Sequence, residues 1–178
     1  RSFRMEILFN ARISDEQLSR IRAGFPDLRV NLADSAGEAS EKIANCEVLV
    51  TWWSNFTPAL LSEPSLKWVH SLAAGVDGFF LPPIIDGQIA LTNSSGIHGL
   101  PMAEHVMAMI LSFSRGIFRY ARLQHERRWE RLPLTELSGK TLGIIGLGSI
   151  GQEIAQRGAA FGMRVLGVKR NPGQLCSG

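Results

Sequence analysis

The chain has 178 residues, of which 45% are hydrophobic and 20% are charged. This composition is typical of a folded globular protein, and it excludes a disordered or fibrous chain. The formal net charge of +3 is small. The basic excess lies mostly in residues 119–131, where a solvated helix face is a better interpretation than a nucleic-acid surface.

Cysteine usage and hydropathy narrow the class of protein further. Cys46 and Cys176 are far apart and form no C-x-x-C pair, so neither a zinc site nor a disulfide framework is predicted. The longest apolar run, residues 106–111, is too short to span a bilayer, and no charged-then-apolar leader is found. We therefore expect a cytoplasmic protein without metal, nucleic-acid or membrane partners. Residues 1–4 precede Met5 and are interpreted as an expression remnant.

The first half of the chain alternates strand and helix patterns. Ser14 is predicted to cap a helix that ends near residue 23, and Pro58 to open a short helix. Residues 35–45 are predicted to form a further helix. Apolar runs predict strands at 5–9, 28–32, 47–51, 66–72 and 89–92. This alternation predicts a parallel sheet covered on both faces, which is the α/β class.

Small polar residues and glycine interrupt the pattern at 93–99, and we predict a boundary here between domains at 1–97 and 98–178. A long helix is then predicted to open at Pro101 and to run to about Tyr120. Because its apolar residues surround the helix axis, we expect it to lie between its own sheet and a second subunit. Burial wholly within one subunit is the alternative. The apolar residues are Met102, Ala103, Val106, Met107, Met109, Ile110, Leu111 and Phe113.

A buried strand, residues 141–145, leads directly into a glycine motif at Gly146, Gly148 and Gly151. In the G-x-G-x-x-G fingerprint the first glycine allows a tight turn, the second lets a pyrophosphate approach, and the third lets the helix press against the sheet. The helix that begins at Ser149 and Ile150 would point its N–H groups at the phosphates. A second strand is predicted at 163–168. The motif predicts dinucleotide binding; a purely structural turn is the alternative.

Four ordered motifs resemble the D-isomer-specific 2-hydroxyacid dehydrogenases, including phosphoglycerate dehydrogenase and glyoxylate or hydroxypyruvate reductase. They are LKWVHSLAAGVD at 66–77, TNSSGIH at 92–98, MAEH at 102–105 and GKTLGIIGLGSIG at 139–151. The resemblance implies a flavodoxin-like substrate domain followed by the first part of a Rossmann dinucleotide-binding domain. It also implies a homodimer, and hydride transfer between NAD(P)H and a small 2-keto or D-2-hydroxy acid.

The resemblance places the substrate-carboxylate loop on Ala74, Gly75 and Val76. Small residues after a strand leave N–H groups free for an anion-binding nest, although a simple tight turn is the alternative. Met102 matches a position beside the nicotinamide, or is an ordinary core methionine. Residues 53–55 follow another strand, where open α/β sheets place ligands, and are candidates for lining the cleft.

Two basic residues stand where NAD-using members of the family have an acidic one. The predicted strand at 163–168 leads into Lys169 and Arg170. Lysine and arginine can pair with the 2′-phosphate of NADP, whereas a carboxylate would repel it. The sequence therefore favours NADP over NAD. A solvated basic turn that still accepts NAD is the alternative.

The catalytic Arg, Glu and His of the family have no counterpart in the 178 residues. A nucleotide domain of this type has about six strands, and only one is predicted after the fingerprint. We therefore expect an N-terminal portion of a dehydrogenase that is inactive alone. His98 is the only histidine that we expect near the cleft. A nucleotide-responsive, corepressor-like interaction protein and a degenerate remnant stabilised by association are the alternatives. The sequence does not identify the 2-hydroxy acid.

Overall fold

The computed structural model describes residues 5–171. The chain divides into two compact units between Ser95 and Gly96, two residues before the boundary predicted from sequence. The helices and strands of both units confirm the predicted α/β class. In the described residues, none of the helices has the length and apolar character needed to cross a membrane.

The first unit is built on a five-stranded sheet in the order β2-β1-β3-β4-β5, with every neighbouring pair parallel. Its strands are β1 Glu6–Asn10, β2 Arg29–Ala33, β3 Val48–Thr51, β4 Trp68–Ser71 and β5 Ala90–Asn93. Its helices are α1 Asp15–Gly24, α2 Ala36–Lys42 and α3 Pro82–Ile85, with short 3₁₀ turns at Trp53–Asn55, Pro58–Ser62 and Asp77–Phe79.

The burial of the central strand β3 explains why its sequence is a continuous apolar run. All four of its residues are buried, and they alternate between the two faces of the sheet. Leu49 belongs to the larger apolar cluster on one face, whereas Val48 and Val50 belong to a smaller cluster on the other. A strand buried on both faces reads as a continuous apolar run.

The predicted helix starts of the first unit are confirmed. Ser14 accepts a hydrogen bond from the Gln17 N–H at 3.2 Å, and Gln17 Oε1 accepts one from the Ser14 N–H at 2.8 Å, forming a capping box. Pro58 occupies the first turn of its 3₁₀ helix. The helix predicted over 35–45 was too long, because it ends at Lys42 and Asn45 is left-handed at φ 63°.

The second unit contains α4 Gly99–Ser114, α5 Ile117–His125, β6 Thr141–Ile145, α6 Ser149–Ala160 and β7 Arg164–Val168. Strands β6 and β7 pair in parallel, and α6 connects them. The single helix predicted over 101–120 was wrong. Gly116 adopts φ 66°, a left-handed conformation that cannot continue a right-handed helix, and it separates α4 from α5.

Only one stripe of α4 is buried in the second unit. Gly99, Ala103 and Met107 are the buried residues of this helix. In contrast, Phe113 is 76% exposed and Met109 is 40% exposed. The apolar side chains that surround the axis of α4 are therefore only partly buried by the described residues of one chain.

Candidate functional site

The three glycines of the fingerprint have different local environments in the structure. Gly146 ends β6 in a left-handed conformation at φ 97°, which a residue with a Cβ rarely adopts. Gly148 faces open space, with no atom within 4 Å of where its Cβ would lie. At Gly151 a Cβ would collide with the carbonyl oxygen of Gly146. The tight turn at Gly146, the open approach at Gly148 and the close packing at Gly151 thus each occur at the predicted position.

The N-terminus of α6 leaves backbone N–H groups without acceptors within the helix at this loop, an arrangement that we call the cradle. Gly148 is the N-cap residue, and the Gln152 N–H donates to its carbonyl oxygen at 2.9 Å. The N–H groups of Ser149, Ile150 and Gly151 precede that bond and have no acceptor within the helix. A helix N-terminus with free N–H groups and positive dipole end favours a phosphate. The open face of Gly148 leaves room for a dinucleotide pyrophosphate.

The basic pair, Lys169 and Arg170, and the glycine loop both lie at the carboxyl end of the β6–β7 sheet. Ile145 pairs with Val168 across the two strands, and the Gly146 N–H donates to the Val168 carbonyl oxygen at 2.9 Å. Lys169 and Arg170 follow directly, the first half-buried and the second exposed. The structure therefore brings the predicted phosphate-binding glycines and the predicted basic pair to one edge.

Two further glycines allow close packing of α4 and α6 in this unit, and the sequence analysis did not single them out. A Cβ at Gly158 would lie 2.6 Å from Leu142 Cδ2, and one at Gly99 would lie 3.4 Å from the Ser149 carbonyl oxygen. Gly158 lies seven residues after Gly151, two helical turns further along the same face. This seven-residue spacing is the sequence signal that could have identified Gly158.

The N-terminus of α4 lies against that of α6 through Gly99. Met102 follows one turn later and is 44% exposed. His98 is the N-cap residue of α4, and its Nδ1 is buried without a partner among the described residues. Met102, the residue predicted to lie beside the nicotinamide, is therefore on the helix that packs against α6.

The predicted substrate loop follows β4 in the first unit. Residues 5–171 provide no acceptor for the N–H groups of Ala74, Gly75 and Val76. The Asn93 side-chain amide donates to the Ala74 carbonyl oxygen at 2.6 Å and braces the loop. No atom lies within 4 Å of a Cβ at Gly75. Three successive N–H groups in a braced, open loop are suited to a carboxylate.

Trp53 extends from the end of β3 towards the residues that follow this loop. Its ring lies across Gly78 so closely that a Cβ there would collide with it. The ring is edge-on to Phe79, at a centroid distance of 5.4 Å. Asn10 fixes the Trp53–Asn55 turn, because its amide donates to the Asn55 carbonyl oxygen at 2.7 Å. Asn10 Oδ1 is buried without a partner in the described part of the chain.

Of the other histidines, one lies near the carboxyl end of β4 and two are on helices of the second unit. His70 is on β4, with Nδ1 2.8 Å from Thr92 Oγ1 and Nε2 3.3 Å from Ser94 Oγ. His105 and His125 are exposed on α4 and α5. Among the described side chains, no group of three potential metal ligands occurs.

Comparison with known proteins shows which family the chain resembles. Residues 107–175 match the sequence model of the D-isomer specific 2-hydroxyacid dehydrogenase, NAD binding domain. A D-isomer specific 2-hydroxyacid dehydrogenase family protein from Aeromonas salmonicida superposes with a TM-score of 0.79 and 36% identity, over 94% of this chain and 54% of that one. The chain is thus similar to the D-isomer specific 2-hydroxyacid dehydrogenase family over more than nine tenths of its length.

Two other members of the family are similar over most of the chain. D-3-phosphoglycerate dehydrogenase from Archaeoglobus fulgidus is 30% identical over 91% of this chain and 32% of its own length. D-Lactate dehydrogenase from Aquifex aeolicus, solved with NAD and lactic acid, has a TM-score of 0.76 and 27% identity over 93% of this chain and 52% of its own. The chain thus spans about a third to a half of these 2-hydroxyacid dehydrogenases.

Proposed function

We propose that this chain is part of an oxidoreductase that transfers a hydride between NAD(P)H and a small 2-keto or D-2-hydroxy acid. The observation that carries the proposal is the cradle at Gly146, Gly148 and Gly151, where each glycine has the geometry that dinucleotide binding requires. The NAD and lactic acid bound by the Aquifex aeolicus relative support the same assignment.

In this proposal residues 98–178 belong to the nucleotide domain. The N–H groups at Ser149 and Ile150 bind the pyrophosphate beside the open face of Gly148. Lys169 and Arg170 bind the 2′-phosphate of NADP, which is favoured over NAD. The bound cofactor supplies the hydride, and Met102 lies beside the nicotinamide.

Residues 1–97 belong to the substrate domain in this proposal. The N–H groups of Ala74, Gly75 and Val76 hold the carboxylate of the keto acid and so orient its carbonyl carbon. No acid–base group is assigned among the described residues. We therefore expect the 178-residue chain alone not to reduce a 2-keto acid, because the alkoxide that forms needs a proton donor.

We further propose a homodimer in the cytoplasm. The exposed apolar side chains of α4 support the dimer, and the buried, unpaired thiol of Cys46 suits a reducing compartment.

The test is an assay of the full-length natural protein with NADPH or NADH and a panel of 2-keto acids. Consumption of either cofactor only when a keto acid is present is the expected result. Nucleotide binding without turnover of any keto acid would contradict the proposal and favour a nucleotide-responsive interaction protein. A Gly148→Ala variant should lose nucleotide affinity, whereas Gly143→Ala, where a Cβ also meets open space, should retain it.

A further inference from the structure

The loops at the carboxyl ends of β3, β4 and β5 contain no basic residue. Residues 52–57, 72–81 and 94–95 include neither lysine nor arginine, and their one charged residue is the exposed Asp77. Arg12, which follows β1, lines a separate cleft with Asp34 and Lys42. These three loops therefore offer no cation to a phosphate or second carboxylate on a substrate held by the Ala74–Gly75–Val76 loop, and Asp77 would repel such a group.

The Trp53 ring presents an apolar surface at the same end of the sheet. Trp53 is 51% exposed, although one part of its ring packs on Phe79 and on Phe56, at centroid distances of 5.4 Å and 5.7 Å. The ring lies across Gly78, two residues after Val76 in the substrate loop. These contacts fix the orientation of the ring, so that its remaining surface is available beside the loop without the entropy cost of ordering it.

We propose that Trp53 is a specificity-determining residue and that the substrate is a 2-keto acid with an apolar, aliphatic or aromatic substituent. The inference rests on the proposed function. The loop N–H groups hold the carboxylate, and the substituent packs on the Trp53 ring. Substrates that carry a phosphate or a second carboxylate are disfavoured, because that group would lose hydration beside the Trp53 ring and these loops provide no cation in exchange.

The substrate profile of the full-length natural protein is the first measurement. We expect kcat/KM for 4-methyl-2-oxopentanoate and phenylpyruvate to exceed that for pyruvate by roughly tenfold or more, since each methylene in an apolar pocket contributes about that factor. We expect 3-phosphohydroxypyruvate to be reduced least. A kcat/KM for 3-phosphohydroxypyruvate equal to or above that of the apolar acids would overturn the inference while leaving the proposed function intact.

Variants then test Trp53 itself. Trp53→Leu should lower the ratio of kcat/KM for phenylpyruvate to that for pyruvate roughly tenfold, and Trp53→Phe should restore most of it. Trp53→Arg should raise kcat/KM for 3-phosphohydroxypyruvate by placing a cation beside the loop. The ratio between substrates is the readout because a general loss of structure would lower both terms.

Trp68→Leu is the matched control. Trp68 is 40% exposed and begins β4, at the amino-terminal end of the sheet strands and opposite the substrate loop. The same substitution there should leave the ratio of kcat/KM between phenylpyruvate and pyruvate unchanged. An unchanged ratio in Trp53→Leu, or an equal change in Trp68→Leu, would overturn the role of Trp53. No turnover of any keto acid by the wild type would instead overturn the proposed function, and this inference with it.

Discussion

The carbonyl oxygen of Gly146 occupies the space that a side chain at Gly151 would need. The contact brings the first turn of α6 directly against the end of β6, and thereby places the helix N–H groups beside the turn. The separation between strand and helix at this point is therefore determined by the absence of a single Cβ. Gly148, two residues before the N–H group of Ile150, has no such contact.

Gly151→Ala should destabilise the protein, because the added methyl group forces α6 away from β6. Overpacking of this kind costs about 1–3 kcal/mol in the free energy of unfolding. Gly148→Ala should leave stability nearly unchanged and weaken nucleotide binding. Urea denaturation and nucleotide titration of both variants, with Gly143→Ala as the control in open space, check the difference. Similar stabilities for the Gly151 and Gly148 variants would contradict it.

The cofactor preference should depend on the basic pair after β7. A charge-assisted hydrogen bond contributes about 1.5–3 kcal/mol, so the full-length protein should bind NADPH roughly tenfold or more tightly than NADH. The Lys169→Asp, Arg170→Ala double variant should lose that preference while retaining affinity for NADH. Titration of both cofactors measures the two affinities. Equal affinities in the wild type would show that the pair is only a solvated turn.

The exposed face of α4 should hold a homodimer together. Replacing Met109 and Phe113 by lysine places charge on this face and should give a monomer or prevent folding, because an unpaired charge cannot be buried at an interface. Light scattering on the wild type and the variant measures the mass. Phe25→Lys, at a residue of the first unit that is 65% exposed, is the control and should remain dimeric. A stable wild-type monomer would contradict the prediction.

Cys46 should react slowly with thiol reagents in the native protein. Burial raises the pKa of the Cys46 thiol above its ordinary value of 9.0, and the side chain donates to the Lys42 carbonyl oxygen at 3.4 Å. At pH 8 iodoacetamide should label it roughly tenfold or more slowly than in the urea-unfolded chain. Peptide mapping by mass spectrometry gives both rates, and equal rates would show that the thiol is accessible.

The same raised pKa predicts how stability depends on pH. Below pH 9.0 the thiol is protonated in both the folded and unfolded chains, so its contribution is fully present. Above that pH the unfolded chain loses the proton first, and the free energy of unfolding should fall as pH rises. A Cys46→Ala variant should lack this part of the alkaline decline, which denaturation at pH 8 and pH 10 measures.

Most helices and strands could be predicted because their signals are local. The apolar run of β3 and the serine at the start of α1 act within a few residues, and the structure confirms both. The break at Gly116 was missed because the surrounding residues are apolar and helix-compatible. A single glycine in such a pattern is tolerated in many helices. Whether it adopts φ 66° depends on residues that pack around it, among them Leu132 and Leu134.

The sequence by itself determined the glycine fingerprint, the order of the strands and the family resemblance, because these depend on residue type and spacing along the chain. Only the tertiary structure decided that Trp53 lies across Gly78, that Asn93 braces Ala74, and that Gly158 packs on Leu142. Each of these pairs joins residues that are distant in sequence. The parallel pairing of β3, β4 and β5, and of β6 with β7, brings their ends together, and hydrophobic burial drives that pairing over the whole unit rather than over a local segment.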